Sequence, residues 1–193
     1  MVYSEKTSHA GNQQERLITI GWIIGYVDGE GCFSVNFIKQ QDRKEAKRIR
    51  KGYKTGYQIA HEFAVTQGEK SLESLKIIQK FFGVGNIYIN KRYDNHNEHI
   101  YRFVVRRRSD INTVIIPFFK RYQLKTAKQD SFKVFSKCLD LMNKGKHLTR
   151  NGAIQIASLC RNINHRKSRI DVIKILRNQT SDSKRVKQIA LRR

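Results

Sequence analysis

The chain of 193 residues carries 39 Lys plus Arg against 16 Asp plus Glu, a formal net charge of +23, with 39% hydrophobic residues. That length predicts one domain, or one with a small extension, and the apolar share is enough for a packed core. The charge calls for a polyanion, with nucleic acid ahead of a membrane surface because the basic residues are spread along the chain.

The three cysteines, Cys32, Cys138 and Cys160, are odd in number and far apart in sequence, and no CxxC pair exists. This excludes a disulfide framework and a zinc ribbon. The first 13 residues are polar and predicted to be disordered, without the apolar run of a signal peptide. No segment is long and apolar enough to span a bilayer, so no membrane partner is expected. An intracellular, reducing setting follows, either a prokaryotic cytoplasm or an organelle.

Residues 17–31, LITIGWIIGYVDGEG, predict a helix starting near Gln14, with Leu17, Ile20, Ile24 and Val27 at helical spacing. It ends in Asp28-Gly29-Glu30-Gly31, and a glycine just past a helix reads as a left-handed cap. Two carboxylates at the negative end of a helix are unfavourable unless a cation is present. Free carbonyls and carboxylate oxygens form a ligand set suited to Mg²⁺, with Mn²⁺ able to stand in. Asp28 and Glu30 diverge on the helix, so one is expected to brace the turn and the other to hold metal; a solvated acidic turn is the plainer alternative. Gly21 and Gly25, one turn apart, leave a groove for a second helix, or relieve crowding within one subunit.

The period then changes to two. A first strand sets Phe33, Val35 and Phe37 against Ser34, Asn36, Ile38 and Gln40. A basic loop holds Arg43, Lys44, Lys47, Arg48, Arg50, Lys51 and Lys54. A second strand, 56–67, alternates Ile59, His61, Phe63 and Val65 with Gln58, Ala60, Glu62 and Ala64. A helix over 71–82 turns Leu72, Leu75, Ile78 and Phe82 inward. The third strand, 86–92, sets Ile87 and Ile89 against Asn86, Tyr88, Asn90 and Arg92. The fourth, 99–107, sets Tyr101, Phe103 and Val105 against Ile100, Arg102, Val104 and Arg106. Residues 96–99, HNEH, read as a hairpin tip rather than a metal site. Ser109 or Asp110 should cap a short helix that stops before Pro117.

Further helices are predicted from Lys125 to about Met142, after Thr149, and from Ser168. The expected division is 1–13 disordered, 14–144 core, 145–178 helical extension and 179–193 basic tail. The order helix, hairpin, helix, hairpin, helix predicts an α+β fold in which two hairpins share an antiparallel sheet. Helices would cover its greasy face. The other face, rich in amides and arginines, would read base edges or simply face solvent.

The run Ile23-Ile24-Gly25-Tyr26-Val27-Asp28-Gly29-Glu30-Gly31 resembles the signature of the LAGLIDADG homing endonucleases, departing from it at Ile24, where the family has a small residue. The resemblance covers roughly residues 17–144. It implies the αββαββα fold of that family, with a saddle-shaped antiparallel sheet on double-stranded DNA and added C-terminal helices. It implies that Glu30 binds the catalytic metal, helped by the Gly29 carbonyl, and that Gln67 positions the water; a hydrophilic strand end is the alternative for Gln67. The 124–129 segment, LKTAKQ, resembles the one supplying an active-site lysine, Lys125 or Lys128, with Lys128 favoured; a solvated phosphate contact is the alternative for both. No second DGEG exists, so one motif per chain implies a homodimer meeting through Gly21, Ile24, Gly25 and Asp28 on a nearly palindromic site. The implied activity is a metal-dependent double-strand break promoting intron mobility. An intron RNA maturase, or a binder that does not cut, is the alternative.

Overall fold

The computed structural model describes residues 4–40, 42–46, 48–91, 98–162 and 170–178. The elements are α1 (Ser4–Glu30), β1 (Gly31–Lys39), β2 (Arg43–Glu45), β3 (Arg48–Arg50), β4 (Tyr57–Gly68), α2 (Leu72–Phe82), β5 (Asn86–Asn90), β6 (Ile100–Val105), α3 (Arg108–Asp110), α4 (Ile116–Arg121), α5 (Lys128–Asn143) and α6 (Arg150–Leu159). Helical backbone returns at 170–178. The fold is α+β, as predicted. A four-stranded sheet runs in the order β1-β4-β6-β5, and β2 and β3 form a separate hairpin. β4 pairs antiparallel with β6, placing Phe63 opposite Val105 and Gln67 opposite Tyr101. β5 pairs antiparallel with β6, placing Tyr88 opposite Arg102.

The chain divides into two compact units. The first joins Met1–Phe33 to Glu62–Asp130, and the second joins Ser34–His61 to Ser131–Arg193. The core of the first is aromatic. Phe63, fully buried, has ring centroids 5.1 Å from Phe33, 5.6 Å from Phe119, 6.1 Å from Phe82 and 6.2 Å from Phe103. Such edge and offset contacts add to what the buried area alone contributes. In α1 the inward positions are Ile20, Ile23 and Val27, whereas Leu17, Ile18 and Trp22 stay exposed. α2 ends at Gly83, a left-handed cap with φ +66°, where a side chain would be strained.

The buried set of the second unit includes Phe132, Phe135, Leu139 and Met142 of α5 and Ala153, Ile156 and Ala157 of α6. Thr149 caps α6 by accepting the Gly152 N–H, as predicted. Cys138 and Cys160, distant in sequence, are buried with their sulfurs 3.5 Å apart.

Several expectations are corrected. α1 begins at Ser4, not near Gln14, so residues 4–13 are helical; polarity does not prevent helix formation once a neighbouring helix supplies the nucleus. Leu17 and Ile89, expected inward, are exposed. The helix after β6 does not stop before Pro117, nor does Ser109 or Asp110 cap it. It passes through a wide π turn at Ile111–Ile115, and Pro117 stands in the first turn of α4, where a missing N–H is tolerated. Ile163, the 92–97 turn and the 179–193 tail lie outside the described residues.

Phe63→Ala removes the ring around which four others pack. It should lower unfolding free energy by about 3–5 kcal/mol, seen as a lower urea midpoint at unchanged slope.

Candidate active site

α1 runs into β1 without a loop, because Glu30 ends the helix and Gly31 opens the strand. Gly31 is not in the left-handed region, contrary to the expected cap; the positive-φ glycines are Gly56, Gly83, Gly85 and Gly145. Its requirement is space. A Cβ there would lie 2.7 Å from the Val27 carbonyl oxygen and 2.5 Å from its side chain. The last turn of α1 contains no basic residue, so its carbonyls must find cations or donors elsewhere.

The Gly29 carbonyl finds one, and the Asp28 carboxylate three, in residues 125–128. The Asp28 carboxylate accepts the Lys125 N–H at 2.6 Å, the Thr126 hydroxyl at 2.8 Å and the Thr126 N–H at 3.3 Å. Burial pushes the Asp28 pKa up, but these hydrogen bonds and the Lys128 charge outweigh it, and the carboxyl lies below its ordinary 3.8. Asp28 is thus the bracing acid, and it braces a segment 97 residues away in sequence. Lys128 donates from Nζ to the Gly29 carbonyl at 2.9 Å. Burial lowers the Lys128 pKa, opposed by Cys32, Asp28 and Glu30. Glu30 stays exposed beside this cluster.

Lys125 and Lys128 therefore occupy different positions. Lys125 contributes its main-chain N–H to Asp28, while the Lys128 ammonium lies on the helix end. Sequence reasoning missed Thr126 and Gln129. Thr126 accepts the Lys128 N–H at 3.2 Å and Gln129 accepts the Leu124 N–H at 3.2 Å. The signal was present, because Thr-x-x-Gln is a capping-box spacing. Gln67, on β4 opposite Tyr101, is not brought into this cluster by any of those hydrogen bonds.

On the polar sheet positions of the first unit, Glu62 receives Arg102 Nη2 at 2.6 Å and Arg106 Nε at 3.0 Å. Arg106 lies over the Tyr88 ring, 5.5 Å from its centroid. Asn86 and Asn90 are exposed. In the second unit, Gln40 Nε2 donates to Gln58 Oε1 at 2.8 Å and Asn36 Nδ2 to Ser34 Oγ at 3.4 Å. Ser34, expected on the outer face, is buried at 5% exposure; it cannot meet DNA directly. Ile38, Arg48, Arg50 and Lys54 are exposed, and Lys51 pairs with Asp42 at 3.1 Å. Arg43 and Lys44 lie on β2. Lys47 and Arg92 lie outside the described residues.

The sequence model described as LAGLIDADG endonuclease matches residues 23–139. The chain belongs to the LAGLIDADG endonuclease family. It is 31% identical over 144 residues, 75% of this chain, to the "Probable intron-encoded DNA endonuclease 1" of Mycosarcoma maydis, 46% of which is covered. Among solved structures it resembles the homing endonuclease I-TnaI at TM-score 0.63 and 31% identity, over 82% of this chain and 96% of that one. It also resembles I-SmaMI, whose structure is described as bound to uncleaved DNA target in the presence of calcium ions, at TM-score 0.62 and 32% identity, over 78% of this chain and 46% of that one. The chain spans less than half the length of the first curated relatives it matches.

The donors at the end of α1 suit a hard cation. Gly29 O and the Glu30 carboxylate are all oxygen, and Lys128 uses only one lone pair of the carbonyl. Among the described residues no group of three His, Cys, Asp or Glu side chains gathers anywhere. An ion here would complete its shell with water and phosphate, as Mg²⁺ does.

Burial raises the Glu62 pKa, but the hydrogen bonds and charges of Arg102 and Arg106 outweigh it, leaving it below the ordinary 4.5. A depressed folded value means that the stabilisation is present above pH 4.5 and lost as pH falls through the folded value. The thermal midpoints of wild type and Glu62→Gln should therefore differ at neutral pH and converge in acid.

Proposed function

We propose that this chain acts as a site-specific DNA endonuclease, cutting both strands of a long, nearly palindromic target as a homodimer with Mg²⁺. The observation that carries the reading is the exposed end of α1. There the Lys128 ammonium reaches the Gly29 carbonyl over a support made by Asp28, and the exposed Glu30 lies near enough for its charge to act on Lys128. A pure DNA binder has no use for an exposed acid at this position, where it repels phosphate.

Each residue then has a task. Asp28 keeps residues 125–126 against the helix end, so that Lys128 is aimed before substrate arrives. Lys128 Nζ offers hydrogen bonds and positive charge to the phosphoryl oxygens as negative charge grows on them. Glu30 and Gly29 O would hold the cation, which when bound would supply Lewis acidity and a more acidic attacking water. Gln67 orients the water by its amide. The arginines and amides of the sheet read bases, and the basic residues of 43–54 engage phosphates.

The second subunit is supported by the outer side of α1. Gly21, Gly25 and Gly29 repeat every four residues, and a Cβ on any of them meets nothing within 4 Å. Leu17, Ile18 and Trp22 expose apolar surface on the same helix. A stripe this apolar beside open glycines suits close helix pairing. The fungal intron-encoded relatives support an organelle as the setting. No helix among the described residues is long and apolar enough to cross a membrane.

Glu30→Gln should reduce cleavage roughly a hundredfold or more while leaving target affinity equal or tighter, measured by gel shift in Ca²⁺ and cleavage in Mg²⁺. A variant that still cuts at the wild-type rate refutes the assignment. Gly25→Leu should leave each chain folded, with an unchanged far-ultraviolet circular dichroism spectrum, since its side chain enters open space. The same change should halve the molar mass by light scattering and abolish cutting.

A further inference from the structure

An acid is out of place on a surface meant for DNA. Glu62 stands on the polar side of β4 in a chain of net charge +23, where a bare carboxylate would oppose phosphate. Its surroundings give it another task. The Glu62 side chain is only 14% exposed, against 35% for Arg102 and 58% for Arg106. The acid lies beneath and the guanidiniums lie above.

The strand register explains how the three meet. Arg102 is opposite Thr66, and Ala64 is opposite Val104. A bond from Arg102 back to Glu62 therefore crosses diagonally over the Ala64–Val104 pair. Ala64 is buried and small, which lets the bridge lie close to the sheet. Arg102 lies in β6 and Arg106 one residue past its end, and the two are an even four positions apart, which suits both side chains to one face.

The allocation of donors is informative. Each oxygen of Glu62 takes one arginine, Oε1 from Arg102 Nη2 and Oε2 from Arg106 Nε. Binding Arg106 through Nε leaves its two Nη groups for an outside acceptor. The Tyr88 ring, 5.5 Å from the guanidinium carbon, limits its rotation. One side hydrogen bond and one stacking surface fix both the position and the plane of this group before any ligand arrives. A fixed guanidinium presenting two parallel N–H groups matches the O6 and N7 acceptors of guanine in the major groove.

We infer that Glu62 is a positioning residue that does not itself contact DNA, and that it holds Arg106 so that Arg106 reads a guanine. The inference rests on the sheet face being the DNA interface. The cluster keeps a net charge of +1, two arginines against one acid, so orientation is gained without making this patch repel DNA.

The test is competition binding in Ca²⁺ between a target selected from a randomised library and its single base-pair variants. Wild type should prefer G·C at one position, and Arg106→Ala should lose about tenfold or more of that preference. Glu62→Gln should lose the same preference at the same position, with affinity for unrelated DNA equal or tighter. The double variant should lose no more than Arg106→Ala alone. Glu62→Asp, which keeps the charge, should recover part of it. Tyr88→Leu, at an exposed position that leaves folding intact, should weaken the same preference. Intact discrimination in Glu62→Gln, or equal loss at every position, overturns the inference. Unchanged binding of every DNA by Arg106→Ala removes the interface reading itself, a different result.

Discussion

The hydrogen bonds from Asp28 to residues 125 and 126 are the contact on which the rest depends. A helix end of this kind carries unpaired carbonyls and partial negative charge, and here it also carries two acids. Without donors it would fray. Asp28 instead accepts three donors from one short segment, and that segment brings Lys128 onto the Gly29 carbonyl. The cluster therefore joins two stretches of chain nearly 100 residues apart, and it aligns a lysine with the acid two residues beyond Asp28. The same bonds that keep the helix from unwinding assemble the chemical groups.

This arrangement rests on a rigid floor. The Phe63 ring and its four aromatic neighbours tie β1, β4, β6, α2 and α4 together within the first unit. Gly31 lets β1 leave the helix directly, because any side chain there would strike Val27. The proposed reaction needs that stiffness, since a displaced lysine or carboxylate would lose most of its effect on charge developing at phosphorus.

What could be read from the letters follows the range of the interaction. The end of α1 was legible because two acids at a helix C-terminus conflict with the dipole, and the conflict is visible within four residues. The strands were legible from their period of two, and α6 from Thr149. Long-range pairings were not. The letters favoured Lys128 over Lys125 without separating their roles; the distinction arises because the backbone of one and the ammonium of the other face the helix end. Glu62 read as one more polar residue on a strand, since its partners lie 40 and 44 positions away. The reason for Gly31 was also misread, because a glycine needed for clearance and one needed for a left-handed turn look alike in sequence. Pro117 misled for a related reason: the wide turn before it is a backbone property with no residue signature.

The direct junction between α1 and β1 has a bearing on how such a protein can change its target. With no linker after Glu30, the frame of the strand is slaved to the helix. One added or deleted residue in the early part of β1 would exchange its inner and outer side chains throughout. If this strand reads DNA as proposed, indels are closed to it as a route to new recognition, and divergence there must proceed by replacing one outward residue at a time.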